Sequence, residues 1–392
     1  MINEKKKIEC CGCSACFSIC PVKCIEMVID EEGFRYPTIK NQNNCIKCGL
    51  CEGVCPMQMK KAESNLKQAY WAKNINEKIR LNSSSGGIFT ALAERVLEMG
   101  GIVIGAAFTA DFYSVDHIII ENVEELKRLQ GSKYTQSNIG NTYNQTKAFL
   151  DADRIVLFSG TPCQIAGLKG FLRKEYRGLI TVDVICHGVP SPLIWKKYLK
   201  NIKQQTAEND IIDVSFRNKA SGWKNYSVVI GFNSGYKYQN KYWADIFMQG
   251  FLANLYLRPS CYACKFKDEN YLSDITLGDF WGIEKIRPQI DDDKGISAVV
   301  VRTQKGMHIF NEIKNMLIYD EVEYARLVKE NRSIACASEY PPERKNFFTK
   351  YKKKGVESLI KKYVGRSLRA KIERKIKRII FNIINRTNFN ES

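Results

Sequence analysis

Histidine is scarce, three residues in 392, and no apolar run approaches the roughly 20 residues that a membrane-spanning helix needs. The longest runs, 102–108 (IVIGAAF) and 379–384 (IIFNII), are far too short. The opening MINEKKKIECCGC carries positive charge with no apolar stretch behind it, so it does not read as a signal peptide. No Gly-x-Gly-x-x-Gly follows a strand-like segment, which leaves a Rossmann dinucleotide site without support. Wholesale disorder is excluded, because 44% of the residues are hydrophobic and 11% aromatic. The expected location is cytoplasmic.

Cysteine is abundant, with fifteen in the chain and ten of them in the first 55 residues. A long chain with an odd number of thiols and no export signal points to metal binding or redox chemistry rather than disulfides. Base exceeds acid, with a net charge of +18, but 350–392 carries 14 Lys and Arg against 3 Glu. The basic character therefore belongs mostly to a tail and says little about the substrate of the body.

Composition divides the chain into residues 1–60, Cys-rich and internally repeated; a polar linker, 61–68; a body, 69–345; and a basic helical tail, 346–392. In the body, a helix with Ile88, Phe89, Leu92, Val96 and Leu97 on one face precedes a buried strand at 101–108. Strands at 154–158 and 179–186 alternate with helices at 164–172 and about 192–203, the order of a parallel crossover unit. Strands at 211–216, 226–232, 275–280 and 298–302 are compatible with hairpins. The expected fold is mixed α/β: a small ferredoxin-type module and a larger α/β domain.

Cys10-x2-Cys13-x2-Cys16-x3-Cys20-Pro21 recurs as Cys45-x2-Cys48-x2-Cys51-x3-Cys55-Pro56. This is the run of bacterial two-cluster ferredoxins, whose fourth cysteine ligates the other cluster. Cys10, Cys13, Cys16 and Cys55 are thus assigned to one 4Fe-4S cluster, and Cys45, Cys48, Cys51 and Cys20 to a second. Zinc knuckles, the plainer alternative, take two separated pairs of ligands and do not need this run twice. Cys11 and Cys24 read as small buried hydrophobes beside the clusters, and Cys336 as a bystander.

Four further thiols sit in telling places. Cys163 lies just past the 154–158 strand, at a helix start, and Cys186 at the end of the next strand. If the strands are parallel neighbours, both emerge at the edge where α/β sheets bind ligands. Cys261 and Cys264 add a pair, giving four thiols, enough for a third 4Fe-4S cluster; a zinc site or a redox-active CxxC fits the spacing too. Ser83-Ser84-Ser85-Gly86-Gly87 opens a helix and suits a phosphate, as does 131–137 (GSKYTQS). A capped helix and an ordinary polar loop would look the same.

SSGGIFTALA, GSKYTQS, LFSGTPCQIAGL, ICHG, CYACKF and SDITLGDFWG occur in an order that resembles the coenzyme F-420 hydrogenase and dehydrogenase beta subunit family, over about 70–340. Residues 1–60 resemble the ferredoxin module often fused to it, and ICHGVPSP is similar to a bacterial branch from surface-polysaccharide gene clusters. The resemblance implies an FAD beside a 4Fe-4S cluster. The family's cluster cysteines match Cys163, Cys186, Cys261 and Cys264, and its flavin blocks match Gly86, Gly87, Ser132, Lys133, Tyr134 and Ser137. Methanogen members differ after the second cysteine, where this chain has His187-Gly188-Val189-Pro190.

The expected activity is that of an iron–sulfur flavoprotein reductase. It would take electrons from a donor protein and deliver them to a small or deazaflavin-like substrate, with His187 and Tyr134 as candidate proton donors. Asp279 and Trp281 read as a loop brace. The rival is a non-catalytic electron-transfer subunit docking on a partner enzyme; a purely structural iron–sulfur protein would need a body without flavin. In the tail, Leu368, Ile372, Ile376, Ile379, Ile380 and Ile383 alternate with basic residues, a pattern that suits an anionic membrane surface on the inner face. Packing on the body is the alternative, and no nucleic-acid motif is present.

Overall fold

The computed structural model describes residues 6–40, 42–59 and 66–365. The first of these segments hold helix α1 (Ala15–Ile19), a hairpin of β1 (Ile25–Ile29) and β2 (Arg35–Ile39), and helix α2 (Leu50–Gly53). The repeated cysteine run has a repeated backbone. Gly12 and Lys47, one residue before Cys13 and Cys48, are both left-handed (φ 71° and 53°). Ser14 and Gly49, one residue after them, are left-handed as well (φ 64° and 73°) and cap α1 and α2. Cys20 and Cys55 are extended (ψ 112° and 114°), as residues before proline prefer to be. Left-handed steps at non-glycine residues are uncommon, so their recurrence shows that both runs curl the same way.

The body follows as β3 (Gln68–Asn74), α3 (Glu77–Asn82), α4 (Ile88–Glu98), β4 (Ile102–Phe108), β5 (Val115–Ile120), α5 (Thr142–Asp151), β6 (Val156–Gly160), α6 (Pro162–Leu172), β7 (Leu179–Val184) and α7 (Pro192–Thr206). Next come β8 (Ile211–Asn218), β9 (Ser227–Phe232), β10 (Lys237–Lys241), α8 (Ile246–Leu252), β11 (Ile275–Asp279), β12 (Ser297–Val301), α9 (Gln304–Glu312), β13 (Leu317–Val322), α10 (Tyr324–Glu330) and α11 (Arg344–Lys354). Among the described residues these strands form an eight-stranded sheet in the order β13-β3-β12-β11-β7-β6-β4-β5 and a three-stranded antiparallel sheet, β10-β9-β8. The centre of the large sheet, β4, β6, β7 and β11, is parallel; its flanks are antiparallel.

On one face of the large sheet α4 and α9 bury Ile88, Leu92, Val96, Ile309 and Phe310. On the other face α5 and α6 bury Tyr143, Leu150, Ile165 and Leu168 together with Cys13, Val54 and Met57 of the N-terminal module. The module thus shares a core with the body. A second core joins the small sheet to α7, α8 and α11 through Trp195, Phe216, Phe247 and Phe347.

The crossover read from the sequence is present: β6, α6 and β7 follow in order, with β6 parallel to β7. Four strands of the body were not anticipated, β3, β5, β10 and β13, nor was the β1–β2 hairpin of the module. The four of the body are antiparallel additions, and β10 and β13 lie on sheet edges and expose much of their length, so an apolar run does not mark them. Residues 344–363 pack into the second core through Phe347, Tyr351, Leu359, Ile360 and Tyr363. The amphipathic stretch from Leu368 to Ile383 lies outside the described residues. Among the described residues no helix is long and apolar enough to cross a membrane.

Candidate metal and cofactor centre

The two cysteine runs cross over. Cys16 is pushed up to about 12 by burial, and Cys10 and Cys55 lie close enough to add repulsion. Cys20, from the first run, instead lies with its sulfur 3.5 Å from that of Cys24, which in turn neighbours Cys45 of the second run. The fourth cysteine of each run therefore sits with the other run. Cys13 is buried and Cys48 exposed, so the first set faces the body and the second faces solvent.

In the body, Cys163 falls in the first turn of α6, behind a Thr161/Gln164 capping box, and Cys186 lies two residues beyond β7. Because β6 and β7 are parallel, both thiols leave the same sheet edge. The 3-10 segment Pro259–Ala263 brings in Cys261, with Cys264 immediately after it. All four thiols line one cavity together with Cys11, His187 and Lys267.

The backbone N–H of Val189 donates to Cys261 Sγ (3.4 Å), and the Thr161 hydroxyl lies 3.2 Å from Cys163 Sγ. Burial pushes Cys186 up to about 12 and Cys261 higher still. Thiols held this way ionise only against a strong positive charge. Four converging sulfurs with an N–H···S bond are the donor set of an iron–sulfur cluster, so the residues fit one. Among the described residues no three His, Cys, Asp or Glu groups close to the spacing of a single-ion site.

Cys11 joins the two regions. It is buried between Cys10 and the body, and its thiol is within hydrogen-bonding reach of Cys163. The module approaches so closely that a Cβ on Gly167 of α6 would sit 2.7 Å from that of Cys13.

The two flavin blocks meet. The Ser132 N–H and hydroxyl bond the Ser84 hydroxyl at 2.7 and 2.9 Å, which sets loop 131–137 against the turn that opens α4. Gly87 (φ 84°) caps α4 without a side chain. A Cβ on Gly86 would run into the Ala72 carbonyl, and the Gly86 N–H donates to the Ser297 hydroxyl at 2.9 Å. Lys133 turns back to donate to the Arg128 and Gln130 carbonyls (3.0 and 2.8 Å). Ser137 accepts from Gln164 at 2.9 Å, and Tyr134 packs on Phe216 and Phe251.

Lys133 keeps some surface but is crowded by protein atoms, and the loss of water pushes it down to about 7. Lys219, bonded to the carbonyls of Arg80, Ser85 and Lys294, is also pushed down to about 7, mainly by burial. None of the bonded partners of these two ammonium groups is a carboxylate, and they flank an uncapped helix start. Lys219 spends all three N–H donors on those carbonyls and Lys133 two of its three, so the helix start and the remaining Lys133 donor are what is left to meet a phosphate-bearing cofactor.

His187 pairs its Nε2 with Asn254 Oδ1 at 2.6 Å, and its ring meets Phe251 edge-on at 5.2 Å. Burial lowers its pKa. Phe251 therefore touches both candidate proton donors, His187 and Tyr134. Asp279 pairs with Arg217 and accepts from Trp223 Nε1 (2.9 Å), and Trp281 stacks on Trp223 at 4.6 Å; the two brace the loop.

Several residues of this centre went unnoticed in the sequence. Arg258, Gln136 and Lys267 are ordinary polar letters there, and only their placement beside the thiols distinguishes them. Arg258 stands three residues before Cys261, the one available signal. Glu32 and Arg344, 312 residues apart, form a bidentate ion pair that ties the β1–β2 turn to α11.

The fold and its thiol sets define an iron–sulfur redox protein. Residues 69–142 match the N-terminal part, and residues 153–325 the C-terminal part, of the coenzyme F420 hydrogenase/dehydrogenase beta subunit; residues 9–59 match a 4Fe-4S dicluster domain. The chain belongs to the coenzyme F420 hydrogenase/dehydrogenase beta subunit family, with a 4Fe-4S dicluster domain at its N-terminus. Among solved structures it is similar to a chain of the F420-reducing NiFe hydrogenase complex from Methanosarcina barkeri, at 17% identity and a TM-score of 0.45, over 70% of this chain and 93% of that one. No curated protein matches it.

Proposed function

We propose that the protein is an iron–sulfur flavoprotein oxidoreductase with three 4Fe-4S clusters and one FAD, reducing a small or deazaflavin-like acceptor. The observation that carries this reading is the convergence of Cys163, Cys186, Cys261 and Cys264 on a cavity that abuts the first cysteine run through Cys11. In this reading 1–60 is the ferredoxin module and 69–345 the flavin domain. Cys10, Cys13, Cys16 and Cys55 hold the inner module cluster, and Cys20, Cys45, Cys48 and Cys51 the outer one. Gly86, Gly87, Ser132, Lys133, Tyr134 and Ser137, on the two loops joined by the Ser84–Ser132 bonds, line the flavin.

When bound, the clusters carry single electrons and the flavin pools two for delivery. The chain's own residues set the order of the sites: Cys48 and its exposed neighbour Ile46 form the face that meets an electron-donor protein. His187, hydrogen-bonded through Nε2 to Asn254 Oδ1, lies at the cavity wall and Tyr134 lies across Phe251, and these two are the candidate proton donors. A peripheral membrane role rests on the lysines of 350–354 and on the basic stretch after residue 365.

The test is the iron, acid-labile sulfide and flavin content of anaerobically purified protein. About 12 iron atoms, from three four-iron clusters, with one FAD per chain is the expected result. About 8 iron atoms and no flavin would leave a ferredoxin module joined to a body of other purpose.

A further inference from the structure

Arg258 is completely buried, at 0% exposure. Its Nε donates to the Cys10 carbonyl at 2.8 Å, Nη1 to Gln136 Oε1 at 2.9 Å, and Nη2 to the Arg35 carbonyl at 2.9 Å and to Cys10 Sγ at 3.5 Å. The guanidinium also lies 4.2 Å from the centroid of the Tyr36 ring. None of these partners is a carboxylate.

A guanidinium does not shed its proton inside a protein, so burial cannot neutralise it as it can a lysine. A buried charge left without an opposite charge is strongly destabilising. Besides the Tyr36 phenol, the thiols of Cys10, Cys11 and Cys261 are the groups around it whose ionised forms would balance it. Two of those three thiols belong to proposed ligand sets, one on each side of the module–body boundary.

We propose that Arg258 is the fixed counter-charge of the cluster held by Cys10, and that it makes this cluster the easiest of the module pair to reduce. The inference rests on the iron–sulfur reading above. Uptake of one electron from a low-potential carrier breaks no bond and moves no proton. It adds one negative charge beside the guanidinium, which favours the reduced state. Among the described residues no buried cation is bonded to the outer cysteine set, whose Cys48 is at the surface, so electrons entering there run inward. Gln136 completes the device: its Oε1 accepts from Arg258, and its Nε2 donates to the Cys11 carbonyl at 3.0 Å. Arg258 is thereby held to the same loop, 131–137, that carries the proposed flavin contacts.

The experiment is an EPR-monitored redox titration of the full chain, purified anaerobically and reduced with dithionite, with Cys10→Ser identifying which signal belongs to that cluster. In Arg258→Gln the ratio of reduced to oxidised cluster at the wild-type midpoint should fall at least tenfold, equivalent to 59 mV for one electron. Arg258→Lys, which keeps the charge, should recover most of the loss, and the outer signal should move less.

Gln136→Glu leaves the arginine in place but sets a carboxylate 2.9 Å from it. This variant should lower the same midpoint, and it carries the test if Arg258→Gln fails to fold. Full iron content with an unmoved midpoint in Arg258→Gln, or in Gln136→Glu where only that variant folds, overturns the proposal. Wild-type protein without iron or signal overturns the iron–sulfur reading itself.

Discussion

The module and the body place their cysteines by different means. In the module, the eight cysteines of the two runs fall within 46 residues, from Cys10 to Cys55, and paired left-handed residues at Gly12 and Ser14, and at Lys47 and Gly49, curl each run locally. In the body, Cys163, Cys186 and the Cys261/Cys264 pair come from three segments spread over about 100 residues, and the parallel pairing of β6 with β7 brings the first two to one edge. A locally built site survives change elsewhere, whereas a topological one depends on the whole sheet.

The sharpest way to break that comparison is to remove one thiol from each region. Cys261→Ser should cost about four of about twelve iron atoms while leaving flavin absorbance largely intact, and Cys48→Ser should cost about four from the outer set. Iron and flavin lost together from Cys261→Ser would mean that the body misfolds.

Next in size is the joint between the regions. Arg344 and Glu32 are 6% and 12% exposed, and removing one partner of a buried pair costs about 3–5 kcal/mol. Glu32→Ala should lower the thermal midpoint by several degrees; an unchanged midpoint would show the module docking without that pair.

All three histidines lie in the body, at 117, 187 and 308, so acid should distinguish the regions. Burial holds His117 at about 4, below the usual 6.5. Between those values the unfolded chain takes up a proton that the folded one refuses. The contribution of His117 to stability is therefore complete above about pH 6.5 and is lost towards pH 4, by up to about 3 kcal/mol. All five tryptophans are also in the body, so urea midpoints read by tryptophan fluorescence report that region. His117→Gln should flatten the acid limb, and an identical limb in the variant would assign it to other groups.

The smallest expected effect comes from Gly167→Ala, which presses a methyl onto Cys13 and should cost about 1–3 kcal/mol as overpacking does. A neutral result would show that the module shifts freely on α6.

What the sequence by itself determined is whatever short-range spacing encodes. The double cysteine run, the amphipathic face of α4 and the β6-α6-β7 crossover all rest on spacings and contacts within some 30 residues. The body thiols were legible as candidates, since Cys163 and Cys186 follow strand-like runs, but their meeting required the strands to be parallel. The flavin blocks were legible as polar loops, while the Ser84–Ser132 bond between them spans 48 residues. Tertiary structure alone decided the edge strands, the closure of the Glu32–Arg344 joint and the burial of Arg258. The reason is physical. Spacing along the chain fixes which groups can curl around a common centre, but whether a charge is dry depends on distant segments packing over it.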